Sequence, residues 1–286
     1  MKSLTQLPWK PMAKDFQSQV NDDNVFNGAA ALGFYLTLAV FPALIFLLSV
    51  LPYLPIRDLD QAIMDLLHQA LPPQTAELLQ ETVQDILAER QGGLLSFGLL
   101  ATLWVASTGM YAVMQQLNIT YNAKEARPFI KARATALLLT LLFGLLVVGA
   151  FALIVTGGML QDWLAETFQW GAVLLTFFAI LRWVIIIAAL LLGFALIYYL
   201  APNVDQEFRW ITPGSVIGTL VLLLVSHGFR IYIMNFGDYE ATYGALGAMI
   251  VLMLWFYIAG LVLLLGSEIN VVTENHLEGG KRRAQQ

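Results

Sequence analysis

Between Glu240 and Glu268 the chain carries no charged residue; the run reads A-T-Y-G-A-L-G-A-M-I-V-L-M-L-W-F-Y-I-A-G-L-V-L-L-L-G-S. An α-helix needs roughly 20 apolar residues to cross a hydrocarbon core of about 30 Å, and this run exceeds that. A helix on the surface of a soluble core would show polar residues on its outer face at every turn. This one shows almost none, so a membrane helix is predicted. Gly244, Gly247 and Ala248 form a small-residue entry where another helix can come close. Trp255 and Tyr257 sit near its middle, away from the interfaces where such rings usually gather. Glu268 and Asn270 place a carboxylate and an amide at its far end.

The rest of the chain has the same character. Its hydrophobic fraction is 58% and its charged fraction 12%, against a soluble norm of roughly 45–50% and 25%. The net charge of -5 offers no basic footprint for nucleic acid. With no cysteine, disulfides, thiolate catalysis and Cys-type zinc sites are excluded. The first apolar run starts near Ala29 and lacks a short h-region with a cleavage site, so it reads as a signal anchor and first span.

Six spans are predicted, at about 29–54, 94–114, 135–156, 173–200, 213–234 and 243–267. The fold class is therefore an all-α membrane protein, with a transmembrane domain over 29–270 between an N-terminal segment (1–28) and a tail (271–286). The N-terminal segment, with Trp9 and Phe16 beside Lys2, Lys10 and Lys14, reads either as an interfacial helix or as a disordered tail. Pro42 is expected to kink span one. Residues 56–92 are acidic, and their apolar positions recur at helical spacing on either side of Pro72-Pro73. They predict an extracytoplasmic pair of amphipathic helices between spans one and two. A short acidic loop holding Asp162 and Glu166 is expected after span three.

An even number of spans puts both termini on one side. Lys2, Lys10, Lys14, Lys124, Arg127, Lys131, Arg133, Arg209, Lys281, Arg282 and Arg283 then share that side, and only Arg57 and Arg90 face the other. By the positive-inside rule the termini are cytoplasmic.

Several runs resemble one family. N-F-x-x-Y-x-x-x-Y-G-x-L-G (Asn235 to Gly247) continues into L-W-x-Y (Leu254 to Tyr257) and L-L-G-x-E-x-N (Leu264 to Asn270). A-A-A-L-G-F-Y-x-x-L-x-x-F-P (Ala29 to Pro42) and the Leu117, Asn118, Tyr121, Arg127, Pro128, Phe129, Arg133 set complete the pattern. Together they resemble the YihY/virulence factor BrkB family, many of whose members once carried the label ribonuclease BN. The resemblance implies a polytopic protein of the bacterial inner membrane, tied to envelope integrity and lipid or lipopolysaccharide handling.

Two groups of residues carry candidate chemistry. Arg182 lies inside span four, where a charge costs roughly 2.5–3.5 kcal/mol on insertion scales. His227 and Arg230 share a face of span five at i, i+3. The topology puts all three in the outer half, with Asn235, Tyr239 and Tyr243 around the following turn. Either they converge on an electropositive cavity for an anionic headgroup, or the arginines snorkel to the interface. Glu268, with Asn270, is either a proton- or ion-coupling carboxylate or an interface group bonded to Asn270 or to the Arg127–Arg133 loop. Gly214 and Gly218 form a weak helix-contact signal.

Ribonuclease chemistry needs clustered carboxylates or histidines holding metal. The three histidines, His68, His227 and His276, are scattered, and no phosphate loop or metal motif appears. No enzyme, metal or cofactor is expected. The leading expectation is an envelope protein that transports or hands over an anionic lipid-like substrate, with membrane lipids as partners. A proton- or ion-coupled secondary transporter is the first alternative. A scaffold recruiting a periplasmic lipid-transfer partner through residues 58–90 is the second.

Overall fold

A computed structural model describes residues 9–50, 94–168, 172–236 and 245–277. Among the described residues every regular element is a helix. The seven helices are α1 (Trp9–Asp22), α2 (Val25–Val50), α3 (Leu94–Thr120), α4 (Phe129–Phe168), α5 (Ala172–Leu200), α6 (Pro213–Phe236) and α7 (Ala245–Leu277). Five contain stretches long and apolar enough to cross a membrane: Val25–Ala43, Phe129–Ala150, Val173–Leu200, Pro213–Ile233 and Met249–Leu277. The predicted span at 94–114 falls on α3, which is not among these five. The predicted extracytoplasmic pair at 56–92 lies outside the described residues.

The sequence leaves residues 1–28 open between an interfacial helix and a tail; 9–22 are helical and pack against α7, with Phe16 and Val20 against the core cluster. Two boundaries differ from the sequence expectation, each for a local reason. Helix α4 runs on through Asp162 and Glu166, where a loop was expected. No proline interrupts it there, and the A-E-T-F stretch is compatible with a helix. Helix α7 continues to Leu277, so Glu268 and Asn270 are helix-interior residues rather than terminal ones. Val271, Val272 and Thr273 beyond them are buried, which explains the extension.

The chain forms two compact units. The first comprises Met1–Thr37 and Gly109–Gln286, the second Leu38–Thr108. In the second, α2 passes through Pro42 as one continuous helix, and the buried Ser107 hydroxyl donates to the Trp104 carbonyl at 2.7 Å.

In the first unit α6 packs most extensively on α7, and α4 on α5, while α5 also touches α6. Glycines decide how closely these helices approach. A Cβ at Gly214 would land on the Gly266 carbonyl oxygen and within 2.7 Å of the Asn270 side chain. A Cβ at Gly218 would instead meet the Phe194 ring at 3.2 Å. The two glycines of the G-x-x-x-G signal thus face two different neighbours. Helix α2 uses the same device, since a Cβ at Gly33 would stand 3.2 Å from the backbone of Met253 and Tyr257. The core between these helices includes Leu32, Met114, Leu117, Leu139 and Leu264, all essentially inaccessible.

Candidate functional site

A cluster of polar side chains of the first unit lies where α3 and α5 finish and α2, α4 and α6 begin, beside the C-terminal parts of α1 and α7. Three of these termini are satisfied by named groups. Helix α3 ends on Asn122 in the left-handed region (φ 52), with Ala123 N–H donating to the Asn118 carbonyl at 2.8 Å and Asn122 N–H to that of Ile119 at 2.9 Å. That is the paired closure by which a helix stops on a left-handed residue. Helix α6 opens on Thr212, whose hydroxyl accepts from Ser215 N–H at 3.1 Å, while the Ser215 hydroxyl accepts from Thr212 N–H at 3.0 Å. Pro213 follows at the first helical position, where its missing N–H costs nothing. The next free donor, Gly214 N–H, is taken by Asn270 Oδ1 from α7 at 2.7 Å.

Arg127 caps α5. Its guanidinium donates to the carbonyls of Leu200 (3.3 Å) and Ala201 (2.8 Å), where the helix dipole is negative. The same guanidinium grips both oxygens of Glu125 at 2.7 Å. Asn118 completes this clasp by donating to Glu125 at 3.0 Å and accepting from Asn203 N–H at 2.7 Å. Hydrogen bonds from Arg127 hold the Glu125 carboxyl below its ordinary value of 4.5. The loop before α4 and the loop after α5 are thereby pinned together. Arg133, one turn into α4, is buried with its guanidinium 5.8 Å from the Tyr111 ring centroid.

Glu268 lies in the same region and is 0% exposed. Neither of its oxygens has a hydrogen-bond donor. Neither partner suggested by the sequence bonds to it: Asn270 Oδ1 accepts from Gly214 N–H while its buried Nδ2 has no acceptor, and Arg127 is bonded to Glu125. The group facing Glu268 is instead the Asp23 carboxyl, close enough for a side-chain hydrogen bond, with the Thr120 hydroxyl approaching the same carboxyl. Two ionised carboxylates are acceptors only, so that contact becomes a bond when one of them holds a proton. Burial, followed in the same direction by the charge of Asp22, raises Asp23 above its ordinary 3.8; the Glu268 contact works against them. Asp23 sits on the two-residue corner between α1 and α2, where Asn24 takes a left-handed φ of 50. One turn earlier on the same face of α1, Gln19 has a buried Oε1 that also lacks a donor.

The outward cationic set is differently placed. Arg182 is half-buried on α5, and His227 and Arg230 are exposed on α6. Among the described residues no hydrogen bond or ion pair joins the three. Asn235 lies in the last turn of α6, and Tyr239 and Tyr243 lie outside the described residues. Sequence reasoning missed Asp23, Glu125, Asn203 and Gln19. The D-D-N run at 22–24, immediately before the first apolar stretch, was the available signal for Asp23.

Several long apolar helices define a multi-pass integral membrane protein. The chain belongs to the virulence factor BrkB family, whose profile matches residues 16–286. Over 244 residues it is 36% identical to a protein of Bacillus subtilis named as ribonuclease-like, YfkH, covering 85% of this chain and 88% of that one. Over 253 residues it is 28% identical to a UPF0761 membrane protein of Aeromonas salmonicida, covering 88% of this chain and 84% of the relative. No solved structure matches the chain.

Proposed function

We propose that the protein is a secondary transporter of the bacterial inner membrane, coupled to protons or cations through Glu268. The observation that carries this reading is a fully buried acid, without a donor, inside an apolar helix. An ionised carboxylate in such a place costs several kcal/mol unless compensated. An expensive charged group at membrane depth is the usual mark of an ion or proton path.

In this reading the chain crosses the membrane six times, with α3 as the second span and both termini in the cytoplasm. The charge asymmetry of the sequence supports that orientation. Fusions to residue 286 should make a fluorescent protein bright in the cytoplasm and leave alkaline phosphatase inactive. The opposite pattern would invert the topology.

An anionic lipid-like cargo is compatible with the same machine. Arg182 and Arg230 stand on α5 and α6, which touch each other, and an exposed guanidinium on a membrane helix can pair with a headgroup phosphate. The coupling is tested in proteoliposomes loaded with a pH-sensitive dye and given Na+, K+ or glycerol phosphate gradients. At least one gradient should drive proton movement in the wild type, and Glu268→Gln should lower it at least tenfold. Vesicles that behave as protein-free ones under every gradient would remove the transport reading.

A further inference from the structure

We infer that Asp23 and Glu268 together hold one exchangeable proton, and that α1 exists to deliver the Asp23 half of that site. The inference rests on the coupled-transport reading for its purpose, though not for its chemistry.

The geometry is that of a shared proton. Glu268 is fully enclosed and has no donor on either oxygen, while Asp23 Oδ2 is buried and Asp23 as a whole is half-buried. One acid is therefore sealed and the other has a side toward solvent. Two carboxylates in contact repel, and a single proton between them turns the repulsion into a strong bond to a charged acceptor. Among the described residues no cation is paired with either acid. Asp22 on α1 adds a like charge to Asp23, and the uncharged Thr120 hydroxyl near Glu268 donates to the Gln116 carbonyl at 3.4 Å. Farther along the α1–α7 contact, His276 stands 3.4 Å from Asp15. Among the described residues no three His, Asp or Glu side chains gather as they would around a metal ion. A proton is the cation that two carboxyls in hydrogen-bond contact accommodate.

The arrangement also sets a route. A proton arriving from water binds the accessible side of Asp23, and the bond to Glu268 lets it pass inward. The return of the same proton leaves Asp23 ionised toward solvent. Atoms balance at each step, because one O–H bond forms as another breaks. Helix α1 is held on α7 by Phe16 and Val20, so displacing α1 would separate the two acids and strand the proton on one of them.

Infrared difference spectroscopy of the full chain in lipid nanodiscs at pH 7 tests this without any gradient or substrate. Ordinary exposed carboxyls are ionised there, so a protonated-carboxyl C=O band reports a retained proton. The wild type should show such a band, and it should shift in D2O. Glu268→Gln puts an amide donor against Asp23, and Asp23→Asn puts one against Glu268, so in each variant the remaining acid ionises and the band is lost. The swaps Asp23→Glu and Glu268→Asp keep an acid pair and should retain the band at an altered frequency, which guards against misfolding as the cause of a loss. A band that survives Asp23→Asn would mean that Glu268 is protonated by itself, and sharing would be wrong. No band in the wild type would overturn the proposal outright. A shared proton with no flux in vesicles would leave this site standing and remove the transport reading.

Discussion

Gly214→Ala is expected to destabilise the protein by roughly 2–4 kcal/mol, from roughly 1–3 kcal/mol for overpacking and about 1 kcal/mol for a lost hydrogen bond. The added methyl group has nowhere to go. It would occupy the position of the Gly266 carbonyl oxygen and press on the Asn270 side chain, which caps α6 through the Gly214 N–H. Backbone is the obstacle, so no rotamer change relieves it. Gly266 cannot retreat easily, because a Cβ built there would meet the Tyr198 hydroxyl, which donates to the Leu263 carbonyl at 2.9 Å. Helix propensity predicts the opposite sign, since alanine is favoured over glycine in a helix by roughly 0.5–1 kcal/mol. The experiment therefore separates close approach from propensity. Gly144→Ala is the control: nothing lies within 4 Å of its built Cβ, so propensity alone should act. Unfolding midpoints in detergent for the two variants decide the matter. A Gly214→Ala protein as stable as the wild type would mean that α6 and α7 are not in close backbone contact.

That glycine shows how far the sequence could be read. G-x-x-x-G on an apolar helix is a weak sign of close approach, since glycines such as Gly144 stand on apolar helices with nothing near them. It does not announce the partner, which depends on how α6 is rotated against both α5 and α7. The same limit holds for the acids. Apolar runs made the membrane helices legible, since bilayer thickness imposes a length that few other structures need. Glu268 was legible as an anomaly for the same reason. Its partner was not, because Asp23 lies 245 positions away in a stretch that composition leaves open between tail and interfacial helix. The N-cap box at Thr212 and the left-handed turn at Asn122 are local devices, and their residue types were in view. What they position, namely Asn270 on Gly214 and Asn118 on Asn203, is a product of packing. The cationic set at Arg182, His227 and Arg230 illustrates the converse. A shared helix face brings His227 and Arg230 near each other in the chain, but says nothing of what faces them across α5.

Arg127→Ala is expected to cost roughly 3 kcal/mol, between the small value of an exposed ion pair and the 3–5 kcal/mol of a broken buried one. The side chains of Arg127 and Glu125 are 10% and 23% exposed, which places the pair nearer the buried limit. The loss has two parts. Glu125 would keep only Asn118 and the backbone N–H of residue 127 as donors, and the Leu200 and Ala201 carbonyls at the end of α5 would lose theirs. Glu125→Gln should cost less, because one amide oxygen still accepts from Arg127 while the other position becomes a donor facing donors. The acid dependence distinguishes this clasp from general damage. The Glu125 carboxyl is held below its ordinary 4.5 in the folded protein by the bonds from Arg127. The folded state thus binds that proton less readily than the unfolded state, and the stabilisation is complete above about 4.5 and lost as pH falls through the lower folded value. The wild type should therefore lose this contribution on acidification, whereas Arg127→Ala, already without it, should show a flatter profile in the same window. Parallel acid profiles for the two proteins would show that the Arg127 contact does not set the affinity of Glu125 for its proton. The clasp would then be a crossing of two loops rather than the lock that holds the end of α5 against the start of α4.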